Sequence, residues 1–113
     1  MSQPNPFGGT IVHLTPAEVR QGMEDGTILL VDVREPQEIQ AESIPGAFAL
    51  ALSVFDVSAL PDAEGKRLVF SCRSGQRSQR AAAIAQHFGL PLEEHMMGGI
   101  IAWREAGFPV ERG

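Results

Sequence analysis

Short apolar runs alternate along the chain with stretches that read as helices. Ile11-Val12-His13 is a strand candidate, and Thr15-Pro16-Ala17-Glu18 then reads as a helix start, with Thr15 as cap, Pro16 at the first helical position and Glu18 completing a capping box. That helix is predicted to run to about Asp25, where Gly26 stops it. The run Ile28-Leu29-Leu30-Val31-Asp32-Val33 is apolar without alternation, the pattern of a strand buried on both faces of a parallel sheet. Asp32 is the polar intruder at its end. Glu35 to Ala41 predicts a short helix with Pro36 in its first turn. Turn chemistry at Ile44-Pro45-Gly46-Ala47 leads into an apolar segment to Leu52, and another short helix is expected between Ser53 and Ala59.

After a loop at Pro61 to Gly65, Arg67 to Ser71 makes a second buried strand, which ends directly at Cys72. Ala81, Ile84, Ala85 and Phe88 then recur at i, i+3, i+4 and i+7, the spacing of one helix face packed on a sheet. Gly89 and Pro91 end that helix. Leu92 to Met96 is a weak last strand, and Gly98-Gly99 precedes a helix from about Ile100 to Ala106, with Gly107 past its end. Strands alternating with helices predict an α/β domain. Residues 1–9, with Pro4, Pro6, Gly8 and Gly9, read as a loose leader, and residues 10–113 as a single domain.

Composition narrows the function more than the fold. The 113 residues carry a net charge of −5, which argues against a general nucleic-acid or membrane-surface binder, so any anion site must be local. No apolar run approaches the roughly 20 residues of a membrane span, and the N-terminus has neither the basic nor the apolar region of a secretory signal. A single cysteine forms no internal disulfide, and its thiol is most easily kept reduced in a cytoplasmic setting.

That cysteine opens the segment Cys72-Arg73-Ser74-Gly75-Gln76-Arg77-Ser78, set between a buried strand and a helix. A thiol reacts as the thiolate, a form favoured by a helix N-terminus and by guanidinium groups. In open parallel sheets ligands bind beyond the carboxyl ends of the strands, where Cys72 is placed. If residues 73–77 curl around the sulfur, their N–H groups form an anion nest. Gly75 supplies the conformational freedom for so tight a bend. Ser74 and Ser78 can donate hydrogen bonds to an oxyanion or to the thiolate, and Arg73 and Arg77 add charge and forked donors. A lone cysteine is most often an inert buried hydrophobe. Two arginines, two serines and a glycine beside it argue for a nucleophile instead. The ending of a phosphate P-loop is absent.

Four ordered motifs carry a family resemblance: Leu30-Val31-Asp32-Val33-Arg34-Glu35, Ile44-Pro45-Gly46-Ala47, the loop from Cys72 to Ser78, and Gly98-Gly99-Ile100-Ile101-Ala102-Trp103 with Gly107-Phe108-Pro109-Val110. With these the chain resembles a single-domain rhodanese. One departure is Ser43, where many members have a histidine, and a local packing change is expected there. The resemblance implies a central, mostly parallel five-stranded sheet flanked by helices on both faces, and a sulfurtransferase reaction in which Cys72 takes sulfane sulfur from a small anionic donor such as thiosulfate. The resulting persulfide would pass that sulfur to cyanide or a thiol, without cofactor or metal. Related phosphatases of the same fold have five residues between cysteine and arginine. Four separate Cys72 from Arg77 here, a smaller ring that suits sulfur and would crowd a phosphoryl group. Arg73 directly after the cysteine favours a dianionic donor.

Two further readings stay open: a persulfide carrier or interaction module in a sulfur relay with a partner protein, and, less favoured by loop length, a cysteine phosphatase or arsenate reductase. Asp32 and Arg34 are candidate supporting residues, Asp32 accepting hydrogen bonds from the loop and Arg34 pairing with Glu38, or else a purely structural ion pair. None of His13, His87 and His95 falls in a motif, and no general base is needed, so each is expected to be structural or exposed. Trp103 and Ile100 read as packing residues. Met96 and Met97 read as core, with a place at the mouth of the site as the alternative.

Overall fold

The computed structural model of the protein describes residues 2–4 and 10–112. Its strands are β1 (Ser2–Pro4), β2 (Thr10–Leu14), β3 (Ile28–Asp32), β4 (Phe48–Ala49), β5 (Arg67–Ser71) and β6 (Glu94–Met96), in the sheet order β1-β2-β6-β5-β3-β4. Five of them, β2 to β6, pair in parallel as expected, and β1 adds an antiparallel edge strand to β2. The rest of the leader expected over residues 1–9 lies outside the described residues, as does Gly113. The helices are α1 (Pro16–Asp25), α2 (Pro36–Ala41), α3 (Gln76–His87) and α4 (Gly99–Glu105). The segment expected to hold a short helix after β4 instead makes two 3-10 turns, Leu52–Val54 and Val57–Ala59. No described helix is long and apolar enough to cross a membrane.

Side chains on a strand alternate between faces, so each buried strand feeds two cores. Ile28, Leu30, Val69 and Met96 pack with Val19 of α1 and with Ile100 and Trp103 of α4. Val31, Val33, Leu68 and Phe70 face the other way, onto Ala81, Ala82 and Ala85 of α3. Fully burying a side chain of Val, Leu or Phe size contributes about 1.5–3 kcal/mol, so these two clusters hold the sheet between its helices. Trp103 is a packing residue as expected, its indole N–H donating to the Pro109 carbonyl at 2.7 Å.

Local signals behave as the sequence reading requires at α1. Thr15 accepts from the Glu18 N–H at 3.2 Å while the Glu18 carboxylate accepts from the Thr15 N–H at 2.9 Å, a closed capping box. Gly26 ends the helix at φ 76°. The face of α3 differs from the expected one. Ser78, Ala81, Ala82, Ala83 and Ala85 are buried, whereas Phe88 is 64% exposed because it caps the helix end, beyond the sheet it was expected to cover. Ser43, the departure noted above, bridges its backbone to Glu111, with N–H to carbonyl distances of 2.8 and 2.7 Å.

Candidate active site

Cys72 follows the last residue of β5, at the carboxyl edge of the parallel sheet, and α3 begins four residues later. The chain makes this turn by placing Gly75 at φ 103°, a conformation that side-chain-bearing residues rarely adopt. The bend aims the Gly75 N–H at the Cys72 sulfur, N to Sγ 3.0 Å, while the α3 axis directs its positive end toward the same region. The sulfur thus sits against a backbone N–H donor at the start of α3. The residue is 1% exposed, so the thiol is shielded by its own loop.

A second clamp comes from the double glycine. Gly98 and Gly99 take φ 78° and 58°, and the first turn of α4 lies directly on the loop. Ile100 N–H donates to the Cys72 carbonyl at 2.9 Å and Ile101 N–H to the Arg73 carbonyl at 3.2 Å. A Cβ on Gly99 would lie 2.4 Å from the Cys72 carbonyl oxygen and 2.5 Å from the Arg73 carbonyl carbon and oxygen. The C-terminal signature thus fixes the floor of the cysteine loop. Met96 is core, as expected, whereas Met97 is half-exposed and lines a pocket beside the loop.

The arginines do less at the sulfur than the sequence suggested. Arg73 and Ser74 are exposed. Arg77 is held away in a two-pronged pair with Glu38 of α2, Nη1 to Oε1 2.7 Å and Nη2 to Oε2 2.8 Å. The guanidinium holds the Glu38 carboxyl down to about 2. The pair is therefore present above the ordinary carboxylate range and is lost only as pH falls toward about 2. Both side chains are about a third exposed, so solvent screening limits the pair to about 1 kcal/mol or less.

Arg34 and Asp32 come together, but differently from expectation. The expected link from Arg34 to the Glu38 side chain is not formed, because Arg77 occupies that carboxylate. Asp32 does not receive its hydrogen bonds from the cysteine loop. It accepts instead from the Arg34 N–H at 2.9 Å and from its guanidinium at 2.8 and 3.1 Å, and both residues are about 4% exposed. Arg34 also donates to the carbonyls of Glu38 at 3.3 Å and Glu42 at 2.7 Å. The buried pair thereby ties α2, and through Glu38 the Arg77 side chain, to the carboxyl end of β3.

The largest departure concerns the histidines. Ser78, on the first turn of α3, is fully buried with its Oγ 3.6 Å from Cys72 Sγ and 2.8 Å from His95 Nδ1. His95 Nε2 in turn lies 2.6 Å from His13 Nδ1. The parallel pairing of β2 with β6 sets His13 directly beside His95. Sequence reading placed neither residue near the cysteine because their contact spans strands far apart in the chain. The available signal was a matching pattern, a histidine inside each of two strands that a parallel sheet can make neighbours. His87 stacks edge-on with Phe88 at the far end of α3.

Burial, with His13 beside it, pushes the His95 imidazole down to about 4 from its ordinary value of 6.5. Between those limits the unfolded chain binds a proton that the folded chain does not, so stability falls as pH falls from about 6.5 to about 4. The linked loss is about 3 kcal/mol. Urea unfolding at about pH 7 and about pH 4.5 should show this loss in the wild type, and a smaller one in His95→Asn. Equal losses in both would contradict a neutral buried His95. Among the described residues no three His, Cys, Asp or Glu side chains gather in metal-binding geometry.

Comparison with known proteins places this site in a family. The model of the rhodanese-like domain matches residues 15–106, which include both the cysteine loop and the double glycine. An uncharacterized protein of Synechocystis is 40% identical over 88% of the chain, which spans 56% of that protein's length. A sulfurtransferase of Allochromatium vinosum is 36% identical over 74% of the chain and 78% of its own length. Among solved structures, a rhodanese-related protein of Thermoplasma volcanium superposes with TM-score 0.74 at 27% identity, covering 88% of this chain and 96% of that one. A Rhodopseudomonas palustris protein described as a possible tyrosine phosphatase superposes with TM-score 0.74 at 35% identity, covering 89% and 85%. With the family model matched along most of its length, the chain belongs to the rhodanese-like family.

Proposed function

We propose that the protein is a sulfurtransferase that carries sulfane sulfur as a persulfide on Cys72, with thiosulfate as donor. The observation that carries this reading is the Cys72 sulfur at the carboxyl edge of the sheet with the Gly75 N–H donating to it at 3.0 Å. In the first half-reaction the Cys72 thiolate attacks the outer sulfur of thiosulfate. A bond forms between the two sulfurs, the bond from that sulfur to the sulfonate breaks, and sulfite leaves with the electron pair. In the second, cyanide or an acceptor thiolate attacks the terminal sulfur, and thiocyanate or a new persulfide leaves while the Cys72 thiolate is restored. Splitting the transfer in two is covalent catalysis and gives ping-pong kinetics. The Gly75 N–H and the α3 terminus stabilise the negative sulfur at the start and end of each cycle.

The sulfurtransferase name of the Allochromatium relative supports this reading. The possible tyrosine phosphatase among the similar structures keeps phosphate-ester hydrolysis as the reading to be excluded. Loop size opposes it, because four residues between Cys72 and Arg77 leave less room for a phosphoryl group. So does Arg77, engaged with Glu38 instead of facing the sulfur. The test is direct: thiosulfate and cyanide should yield thiocyanate, while a chromogenic phosphate ester should yield no Cys72-dependent phosphate. The reverse outcome would replace the sulfur reading with the phosphate one.

The Glu38 pair also sets the size of one effect. Because its charge is already balanced, Arg77→Ala is expected to raise KM for thiosulfate about fivefold, the equivalent of about 1 kcal/mol for a partly exposed charged contact. Steady-state kinetics measure this. A rise of several hundredfold would mean that Arg77 leaves Glu38 and grips the donor directly.

A further inference from the structure

We propose that Ser78, His95 and His13 form a proton relay that carries the Cys72 thiol proton to the edge of the domain. The proposal rests on Cys72 being the reacting thiol, as argued above, and assigns a role to two histidines that the sulfur chemistry itself does not use. Four polar groups lie in file: Cys72 Sγ to Ser78 Oγ at 3.6 Å, Ser78 Oγ to His95 Nδ1 at 2.8 Å, and His95 Nε2 to His13 Nδ1 at 2.6 Å. Cys72, Ser78 and His95 are each at most 1% exposed, whereas His13 is half-buried. His13 and His95 form one wall of a pocket of about 290 Å³ whose other lining residues, Gln79 and Met97 among them, carry no charge. The file therefore starts at a sealed sulfur and ends at a side chain that water can reach.

Its bonding can run in two directions, and the two directions are the two protonation states of the sulfur. With a neutral thiol, S–H donates to Ser78 Oγ, the serine O–H donates to His95 Nδ1, and His95 Nε2–H donates to His13 Nδ1. Transfer breaks the S–H bond and forms a new O–H bond on Ser78, whose original proton moves to His95 Nδ1. The His95 Nε2 proton moves to His13 Nδ1. The products are a thiolate and a His13 imidazolium, with Ser78 neutral and His95 neutral in its other tautomer. The proton is held on His13 at the outer end of the file, and the thiolate is stabilised because His13 can hold it. In the reversed file Ser78 donates to the thiolate, joining the Gly75 N–H already aimed at it. Charge never rests on buried His95, in keeping with the burial that keeps its imidazole neutral.

The titratable and charged groups that act on this file come from each element packed on it. β2 contributes His13, β6 contributes His95, and α3 contributes Arg77, whose charge acts on Cys72 and is balanced by Glu38 of α2. Glu94 of β6 is turned to Arg67. The loop contributes exposed Arg73. None of these takes the place of His13 at the end of the file.

His13→Asn tests the relay, because asparagine can still accept the His95 N–H but has no basic nitrogen to hold the proton that leaves Cys72. The readout is the rate of Cys72 alkylation by iodoacetamide from about pH 5 to about pH 10, which follows the thiolate fraction. The midpoint is expected to rise by about one pH unit, which near pH 7 slows alkylation about tenfold, with the plateau at high pH unchanged. Ser78→Ala should shift it similarly, and the double variant no further, since either change breaks the same file. Circular dichroism checks folding, and His13→Gln carries the same test if asparagine at this strand position unfolds the protein. An unchanged midpoint in the folded His13 variant, or shifts that simply add in the double variant, would overturn the relay. Alkylation needs neither donor nor acceptor. A shifted midpoint in a protein that makes no thiocyanate would keep the relay and remove the sulfurtransferase reading, and thiocyanate formation with an unshifted midpoint would do the reverse.

Discussion

Cys72→Ser is expected to lower thiocyanate formation from thiosulfate and cyanide by about three orders of magnitude or more, to the level of the uncatalysed reaction. No other described group can replace the sulfur, since the chain has a single cysteine and the neighbouring hydroxyl of Ser78 is a far poorer nucleophile toward sulfur. The loop itself should survive the change. Serine differs by one atom, and the main-chain contacts that shape the turn, from Ile100 to the Cys72 carbonyl and from Ile101 to the Arg73 carbonyl, do not involve the side chain. Retained stability with lost turnover is the expected pair of results, measured by urea unfolding and by the colorimetric thiocyanate assay. Appreciable turnover by Cys72→Ser would remove Cys72 from the chemistry altogether.

Gly99→Ala is expected to cost about 2–4 kcal/mol in stability and to disorganise the cysteine loop. Two effects add. The backbone at φ 58° disfavours any side chain, and the new Cβ would stand 2.4–2.5 Å from main-chain atoms of Cys72 and Arg73, which have no flexible end to move aside. Relief requires the first turn of α4 to back away, breaking the bonds from Ile100 and Ile101 that hold the loop floor. Urea unfolding gives the stability change, and alkylation at high pH, where the thiol is already ionised, gives the loop's exposure. The variant should be less stable and its Cys72 alkylated faster at that plateau. A stable variant with unchanged alkylation would mean that the close approach is not needed. Gly98→Ala would be a milder comparison, since its Cβ would meet the side chain of Ala102 at 2.5 Å and no main-chain atom closer than 3.8 Å.

What could be seen in the sequence was what short-range physics decides. The capping box of Thr15 and Glu18, the two-faced apolar run of β3, and the strand-to-helix junction at Cys72 each follow from residues within a few positions of one another, and each is present. The position of Gly75 in the turn was legible for the same reason. Interactions that depend on how strands are laid side by side were not. The relay depends on β2 and β6 pairing in parallel with His13 opposite His95, a register set between strands far apart in the chain and not by any local motif. Arg77 was read as a donor to the substrate because its partner Glu38 lies on a separate helix. Arg34 was assigned to Glu38 because the two are four residues apart, whereas burial pairs it with Asp32, the nearer carboxylate in a site that water does not reach. Phe88 fitted the period of α3, but the helix ends before the sheet can cover it.

The double glycine also acquired a physical meaning that sequence alone did not supply. It brings a helix start close enough to the cysteine loop for two main-chain hydrogen bonds, and so joins the C-terminal motif to Cys72. Asp32 and Arg34 have a comparable role on the other side, through α2 and Glu38. The candidate site is thus a small turn held from two sides by elements that never touch the sulfur.

Sulfur transfer to Cys72 is tested most directly by the intact mass of the protein after incubation with thiosulfate and removal of excess donor. A gain of one sulfur atom is expected, located to Cys72 by peptide mapping, absent in Cys72→Ser and discharged by cyanide with formation of thiocyanate. An unchanged mass in the folded, reduced wild-type protein, with no thiocyanate on addition of cyanide, would contradict this transfer.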